Sequence, residues 1–275
     1  MIRPLLAGMV LILGCSGTCM GQSPLTEMIN AEKSFAAFTE THTIKEGFLH
    51  YMDSAGVIFR QGKAVNARAS FSKQPVGAGV LSWVPDFAVI SSSGDMGVTA
   101  GPYQFRDKPG TDTPVAYGHF SSAWRKNETG EWTNRADLGV NYKVTNTLFT
   151  AIRSEVITRS DAANTTLENM LQIDRTFNLE MSRKDVGSIL SFFSEKARLM
   201  IDGFKPFDGK DCIASGLQHL PAGTRTETIN GELSAAKDFA YVYGSLTNGD
   251  KKGNYLRAWI LENKEWKLVL QTLHW

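Results

Sequence analysis

The chain repeats itself, and that repeat limits the folds open to it more than any other feature. Phe35 and Phe177 lie 142 positions apart, and the same offset carries one half onto the other over about thirty residues without a gap. Met28, Ala31 and Phe35 fall on Met170, Ile173 and Phe177, a stripe at three- and four-residue spacing that marks the buried face of a helix. Ile44, Phe48 and Tyr51 fall on Val186, Leu190 and Phe193, the stripe of a second helix. Start signals stand where these stripes begin. Ser23-Pro24 is an N-cap followed by proline in the first turn, Thr165-x-x-Glu168 spells a capping box, and Ser182-x-x-Asp185 offers a similar start. Units of about 110–120 residues can each bury a core, so the repeat is a duplicated domain and not a solenoid.

Further along, each half changes its apolar period from 3.6 to 2. Val57-Ile58-Phe59 and Leu199-Met200-Ile201 read as short first strands. Asp95…Gly101 and Asp238…Gly244 recur next, in strand-like surroundings. Gly118-His119-Phe120-Ser121-Ser122-Ala123-Trp124 is matched by Gly253-Asn254-Tyr255-Leu256-Arg257-Ala258-Trp259, and Glu131-Trp132 and Glu265-Trp266 open the last strand of each half. Residues 127–130 and 262–264 between them have the length of hairpin turns. Each half is therefore predicted to run helix, helix, a short helix or loop, then an antiparallel meander. That is an α+β layer fold with the helices on one face. The expected organisation is a leader over 1–22, a first domain over 23–142, a linker over 143–164 and a second domain over 165–275.

Three segments carry a likeness that spans most of the first half. They are Ala31-Glu32-Lys33-Ser34-Phe35-Ala36-Ala37, then Ser93-Gly94-Asp95-Met96-Gly97-Val98-Thr99-Ala100-Gly101-Pro102-Tyr103, and the hairpin Ala123-Trp124-Arg125-Lys126…Gly130-Glu131-Trp132. In their order and spacing each half resembles the nuclear-transport-factor-2-like cone fold, in its SnoaL-like and ketosteroid-isomerase-like bacterial branch. The second half keeps Asp238…Gly244 and Trp259…Trp266 and is more diverged. The resemblance implies two tandem cone-shaped domains, each with N-terminal helices packed on a curved antiparallel sheet and an apolar pocket at the open end. It spans isomerases, dehydratases and cyclases as well as non-catalytic binding and assembly domains, so fold does not fix function. Curved sheets of this kind pair face to face, so the two domains are expected to form an internal pseudo-dimer.

A steroid-isomerase-like site, as the resemblance implies it, uses one carboxylate as base and phenolic or protonated carboxylic donors to hold the enolate. In the first half Asp137 suits the carboxylate role, because it alternates with Ala136 and Leu138 and so points to the other face. His119, one strand earlier, is its candidate neighbour across the hairpin if the register brings them together. Tyr103, after Gly101-Pro102, is a candidate phenolic donor, and Asp86, between Pro85 and Phe87, is a second acid in apolar company. An exposed strand aspartate and a surface histidine are the plain alternative. Trp83 has no counterpart in the second half and is expected to line the first pocket. Trp124, Trp132, Trp259 and Trp266 recur at equivalent places and are read as sheet anchors.

The second half argues against a shared active site. Aligned on the tryptophans, Asp137 meets Gln271 and His119 meets Asn254, neutral amides that can bind a ligand but cannot exchange protons. Its own pocket candidates are Tyr241, Tyr243 and Arg257, with His219 and His274 as further polar groups. For the two tyrosines, plain core packing competes with a pocket role.

Charge and motif content remove other classes. With 29 Lys and Arg against 28 Asp and Glu the net charge is +1, which offers no field for nucleic acid. The five histidines show no H-x-x-x-H or H-x-H spacing, so no metal is expected. No phosphate-loop, dinucleotide or G-x-S-x-G motif occurs, and no cofactor is expected. Ser234-Ala235-Ala236-Lys237 spells S-x-x-K but precedes a strand, where that motif's chemistry has no helix to sit on.

In the leader, Arg3 precedes an apolar run from Pro4 to Leu13 that is too short to cross a membrane. Ile12-Leu13-Gly14-Cys15 resembles a bacterial lipoprotein box in which Cys15 would be lipidated. Cys19-Met20-Gly21 offers instead a soluble-export cleavage before Gln22, and an uncleaved helix is the third alternative. The chain is thus expected to be exported, in the periplasm or lipid-anchored in the bacterial envelope, with membrane contact only through Cys15. Cys212, beside Ile213 and Ala214, is read as a small core residue. Three functions remain open: binding of a small, mostly apolar molecule in the first-domain pocket, isomerase- or dehydratase-like acid–base catalysis by Asp137 and His119, and a non-catalytic interaction module.

Overall fold

The computed structural model describes residues 22–110, 113–143, 152–156 and 165–275. The leader through position 21, Cys15 included, and most of the expected linker lie outside the described residues. The first unit opens with α1 (Pro24–Thr41) and α2 (Ile44–Tyr51). Ser23 caps α1 by accepting from Thr26 N, and Thr43 caps α2 by accepting from Glu46 N. The α1 face that turns inward carries Met28, Ile29, Glu32, Phe35, Ala36 and Thr39. Next come β1 (Met52–Arg60), β2 (Lys63–Asn66), α3 (Ala67–Lys73), β3 (Val80–Trp83), β4 (Phe87–Ile90), β5 (Met96–Arg106), β6 (Ala116–Lys126), β7 (Trp132–Asn141) and β8 (Arg153–Val156). They form one sheet in the order β2-β1-β7-β6-β5-β4-β8, with β3 also paired to β5.

The second unit repeats this plan with α4 (Leu167–Arg183), α5 (Val186–Ser191), β9 (Phe193–Ile201), β10 (Phe207–Asp208), α6 (Lys210–Leu217), β11 (Arg225–Leu233), β12 (Phe239–Asn248), β13 (Lys251–Glu262) and β14 (Glu265–His274). Its sheet runs β10-β9-β14-β13-β12-β11. The chain is therefore α+β, two tandem units of helices on a curved sheet. Local details differ from the sequence expectation. Thr166, not Thr165, caps α4 through Asn169 N, and Asp185, not Ser182, caps α5 through Gly187 N. The first strand of each unit joins the last in parallel, β1 to β7 and β9 to β14, where the sequence suggested an antiparallel meander throughout. Within the segment read as a linker, β8 adds in parallel to β4 and pairs its outer edge.

Two glycines allow each sheet to bend. At Gly101 strand β5 leaves β4 for β3, and a Cβ there would lie 2.0 Å from the Val84 carbonyl oxygen. Gly244 stands at the equivalent place, where a Cβ would lie 2.0 Å from the Glu227 carbonyl oxygen beside the bulge between Thr228 and Asn230.

Alternation along the strands produces three cores. Met28, Phe35, Phe48, Phe71 and Trp124 fill the first cone, and Met170, Phe177, Leu199, Tyr255 and Trp259 fill the second. The opposite faces of the two sheets pack against each other through Val89, Val98 and Leu138 on one side and Tyr241, Leu256, Ile260 and Val269 on the other. The tryptophan pair Trp124 and Trp259 is fully buried. Cys212 corrects the sequence reading: it is exposed on α6, and its neighbour Ile213 takes the core position instead, because the helix turns by about 100° per residue.

Candidate functional site

Between the concave face of the first sheet and its helices lies a cavity of about 350 Å³. Phe48 of α2, Phe71 of α3, Ile58 of β1, Trp83 of β3, Tyr103 of β5 and Phe120 of β6 supply its apolar walls. Its polar lining is Arg60, Asp137, Asn141 and, from the end of the second unit, His274. Strand alternation sets this division: Asp137, Gly139 and Asn141 of β7 face the cavity, while Ala136, Leu138 and Val140 join the layer between the sheets.

Asp137 is tied to a deeper acid. Ser122, opposite it on β6, donates to Asp137 Oδ2 at 2.8 Å. Behind Ser122 lies Glu32 of α1, fully buried, which accepts from Trp83 Nε1 at 2.5 Å, Thr99 Oγ1 at 2.5 Å and Trp124 Nε1 at 2.8 Å. Burial raises the Glu32 pKa, and these three donors only partly offset it. Asp137 is pushed up to about 7, first by burial and then by the Glu32 charge, against the pull of Ser122 and Arg60. A carboxyl that changes charge near neutrality, on the wall of an apolar cavity, can exchange a proton with a bound molecule or take up its charge.

The cavity mouth is built from both units. Tyr103 Oη donates to Asn141 Oδ1 at 2.6 Å, and Asn141 N donates to Asp202 Oδ1 at 2.9 Å. His274 Nδ1 lies 2.8 Å from Asp202 Oδ2 but is not aligned as a hydrogen bond, so the two interact through charge when the imidazole is protonated. Burial holds the Tyr103 phenol well above its ordinary pKa, with the Asp202 carboxylate adding to the effect.

Several sequence candidates belong elsewhere. His119 and Asp137 do not form a pair: Asp137 stands opposite Ser122, and His119 stands opposite Val140 on the other face of the sheet. His119 Nδ1 is 2.6 Å from Tyr142 Oη, and its Nε2 is 3.9 Å from Asp86 Oδ2. Asp86 is no cavity group either. It accepts from Arg198 Nη1 of the second unit at 2.5 Å, and Arg198 also donates to both oxygens of Asp208. Burial lowers the His119 pKa; it works against Asp86, but His119 and Arg198 still hold that carboxyl below its usual range. Tyr241 and Tyr243 pack in the layer between the sheets, Tyr243 against Phe59 at 5.5 Å and Tyr241 donating to Glu232 at 2.7 Å.

Arg257 is enclosed and does not line an open pocket. Its Nη1 reaches Asp174 Oδ1 at 2.9 Å and Asn178 Oδ1 at 2.7 Å, its Nε reaches Gln271 Oε1 at 2.8 Å, and it is fully buried. The guanidinium lies over Tyr255 at 3.9 Å and Phe177 at 4.6 Å. Trp83 and Tyr103 line the first cavity, and Trp83 also holds Glu32. Sequence reasoning passed over Glu32, Ser122 and Arg60. Glu32 carried a signal, a carboxylate in the apolar stripe between Met28 and Phe35 that aligns with Asp174 in the repeat. Among the described residues no three His, Cys, Asp or Glu side chains converge as metal ligands.

No family model matches the chain, and no curated protein matches it. Solved structures similar to parts of it include a ketosteroid isomerase-like protein from Erwinia carotovora atroseptica, at 15% identity and a TM-score of 0.33, covering 39% of this chain and 94% of that one. An NTF2-like protein with a cystatin-like fold from Novosphingobium aromaticivorans gives 11% identity and a TM-score of 0.33, covering 39% of this chain and 79% of that one. An NTF2-like protein of unknown function from Shewanella oneidensis gives 13% identity and a TM-score of 0.32, covering 39% and 97%. The architecture itself is defined by this chain's own strand order and helix placement.

Proposed function

We propose that the first unit binds a small, mostly apolar molecule bearing one polar group, and that the second unit is its structural partner. The observation that carries this is the contrast between the two cones. The first keeps an aromatic-lined cavity of about 350 Å³ with Asp137 on its wall, whereas Arg257 occupies the interior of the second. The pairing of the two sheets gives the chain its own partner, so a second copy is not needed to cover those faces. The leader adds export, with the chain released or held in the envelope through Cys15.

Native mass spectrometry of protein purified gently from its host tests the reading. A retained molecule of defined mass is expected, and Phe120→Trp, which narrows the cavity, should reduce its occupancy. Ligand-free protein that also shows no thermal shift with any small amphiphile would sink it. The same spectrum reports the N-terminus, at Gln22, at a lipidated Cys15, or uncut.

One observation favours a second reading, an isomerase- or dehydratase-like enzyme. Burial and the nearby Glu32 charge push the Asp137 carboxyl up to about 7, and Ser122 donates to it from between the two acids, which suits proton transfer at neutral pH. His119 has no part in this version. With a substrate in hand, Asp137→Asn should lower kcat by about 10²–10⁴-fold, and unchanged turnover would remove the enzyme reading.

A further inference from the structure

The duplication places the same cradle in the chain twice, once closed on a cation and once without one. In the second cone, Asp174, Gln271, Tyr255 and Phe177 surround the Arg257 guanidinium. The repeat sets Glu32, Asp137, Phe120 and Phe35 at the corresponding places of the first cone, and Ser122 at the place of Arg257. The acid of the second cone recurs as Glu32, and the neutral amide Gln271 has become a second potential charge, Asp137. The positive group that would balance them does not recur.

We infer that the molecule taken up by the first cavity is an organic cation, a guanidinium or ammonium head on an apolar stem, its head against Asp137 as the Arg257 guanidinium lies against Gln271 in the second cone. The inference rests on the reading of this cavity as a ligand site. The head meets Asp137, with Glu32 behind Ser122, and the stem lies among the apolar walls of Phe48, Phe71, Trp83 and Phe120. The other charged or titratable groups around Asp137 come from three directions. Arg60 stands on the exposed rim with Nη1 donating to the Phe59 carbonyl at 2.9 Å, Tyr103 lines the far wall, and Asp202 and His274 stand at the mouth. Arg60 is the one opposing charge among the described lining residues, and it faces solvent.

Because the carboxyl of Asp137 sits near 7 without ligand, a cation binds best once it is ionised. Affinity for the cation therefore rises with pH through that region, and binding at neutral pH releases a proton.

Calorimetry on the full chain with three matched probes decides the matter: 3-phenylpropylguanidinium, its neutral urea counterpart, and 4-phenylbutyrate. At about pH 8 the guanidinium is expected to bind at least about tenfold more tightly than the urea, and at about pH 5.5 that preference should shrink. Asp137→Asn should erase the preference, the guanidinium then binding no more tightly than the urea. Ser122→Arg should supply the cation internally, raise the melting temperature and abolish guanidinium binding. Equal binding of guanidinium and urea would overturn the inference and leave the cavity reading intact, as would tightest binding of the butyrate, which would assign Arg60 as the charge anchor. Binding of none of the three by folded protein would overturn both.

Discussion

At the scale of single residues, the two cones differ most where Ser122 stands in one and Arg257 in the other. Removing a member of a buried, hydrogen-bonded ion pair leaves its partner uncompensated, so Arg257→Met is expected to cost about 3–5 kcal/mol, read by urea unfolding. Asp137 makes stability depend on pH. A carboxyl whose folded pKa lies above its unfolded value stabilises the fold while protonated, and that contribution is lost as pH rises from the unfolded value through about 7. Glu32 shifts in the same direction, and Asp86 in the other. Asp137→Asn should therefore melt above the wild type at about pH 8 and come level with it only at about pH 3.5, below the unfolded value. A difference independent of pH would show that Asp137 is not perturbed.

Elements follow local signals closely, and depart from them where another strand intervenes. Of the caps, those of α4 and α5 are Thr166 and Asp185 where Thr165 and Ser182 were expected, but Ser23 was legible because capping depends on a few neighbouring residues. The parallel joining of β1 to β7 was not, since nothing in either strand names its partner. Nor was β8, whose four residues acquire strand structure by pairing with the edge of β4. Gly101 and Gly244 were legible as a repeated position, but their purpose is a close backbone approach that only the folded sheet contains. Gly101→Ala and Gly244→Ala should each destabilise by about 1–3 kcal/mol. The first should also disturb Trp83, which stands opposite Tyr103 two residues along β5. Chemical denaturation of the two variants checks this, and neutral substitutions would mean the strands can separate there at no cost.

At the scale of the whole molecule, equivalent turns of the two units meet. Ser92 donates to Asp238, while Asp95 and Ser93 accept from the backbone of Ala235 and Ala236, so residues 91–95 face their own counterparts at 234–238. This is the self-complementary contact of a two-fold dimer, made here within one chain. Around it, Glu232 accepts from Arg125 and Arg135 of the first unit, and Ser121 meets Thr272. With both sheet faces covered, light scattering should return the mass of one chain. A mass of two chains would mean that the faces find each other between copies instead.

Spacing along the chain was enough to reveal the duplication, the helices ahead of the strands in each half, and which positions alternate between faces. The sequence also marked Asp137, Trp83 and Tyr103 as candidates. Which face each candidate occupies came from the pairing of strands far apart in the chain. His119, Asp86, Tyr241 and Tyr243 went to the layer between the units, and His274 came from the second unit to the first unit's cavity. The physical reason is the strand period of two: a face is set by pairing between distant segments, and a single step of register exchanges core for cavity.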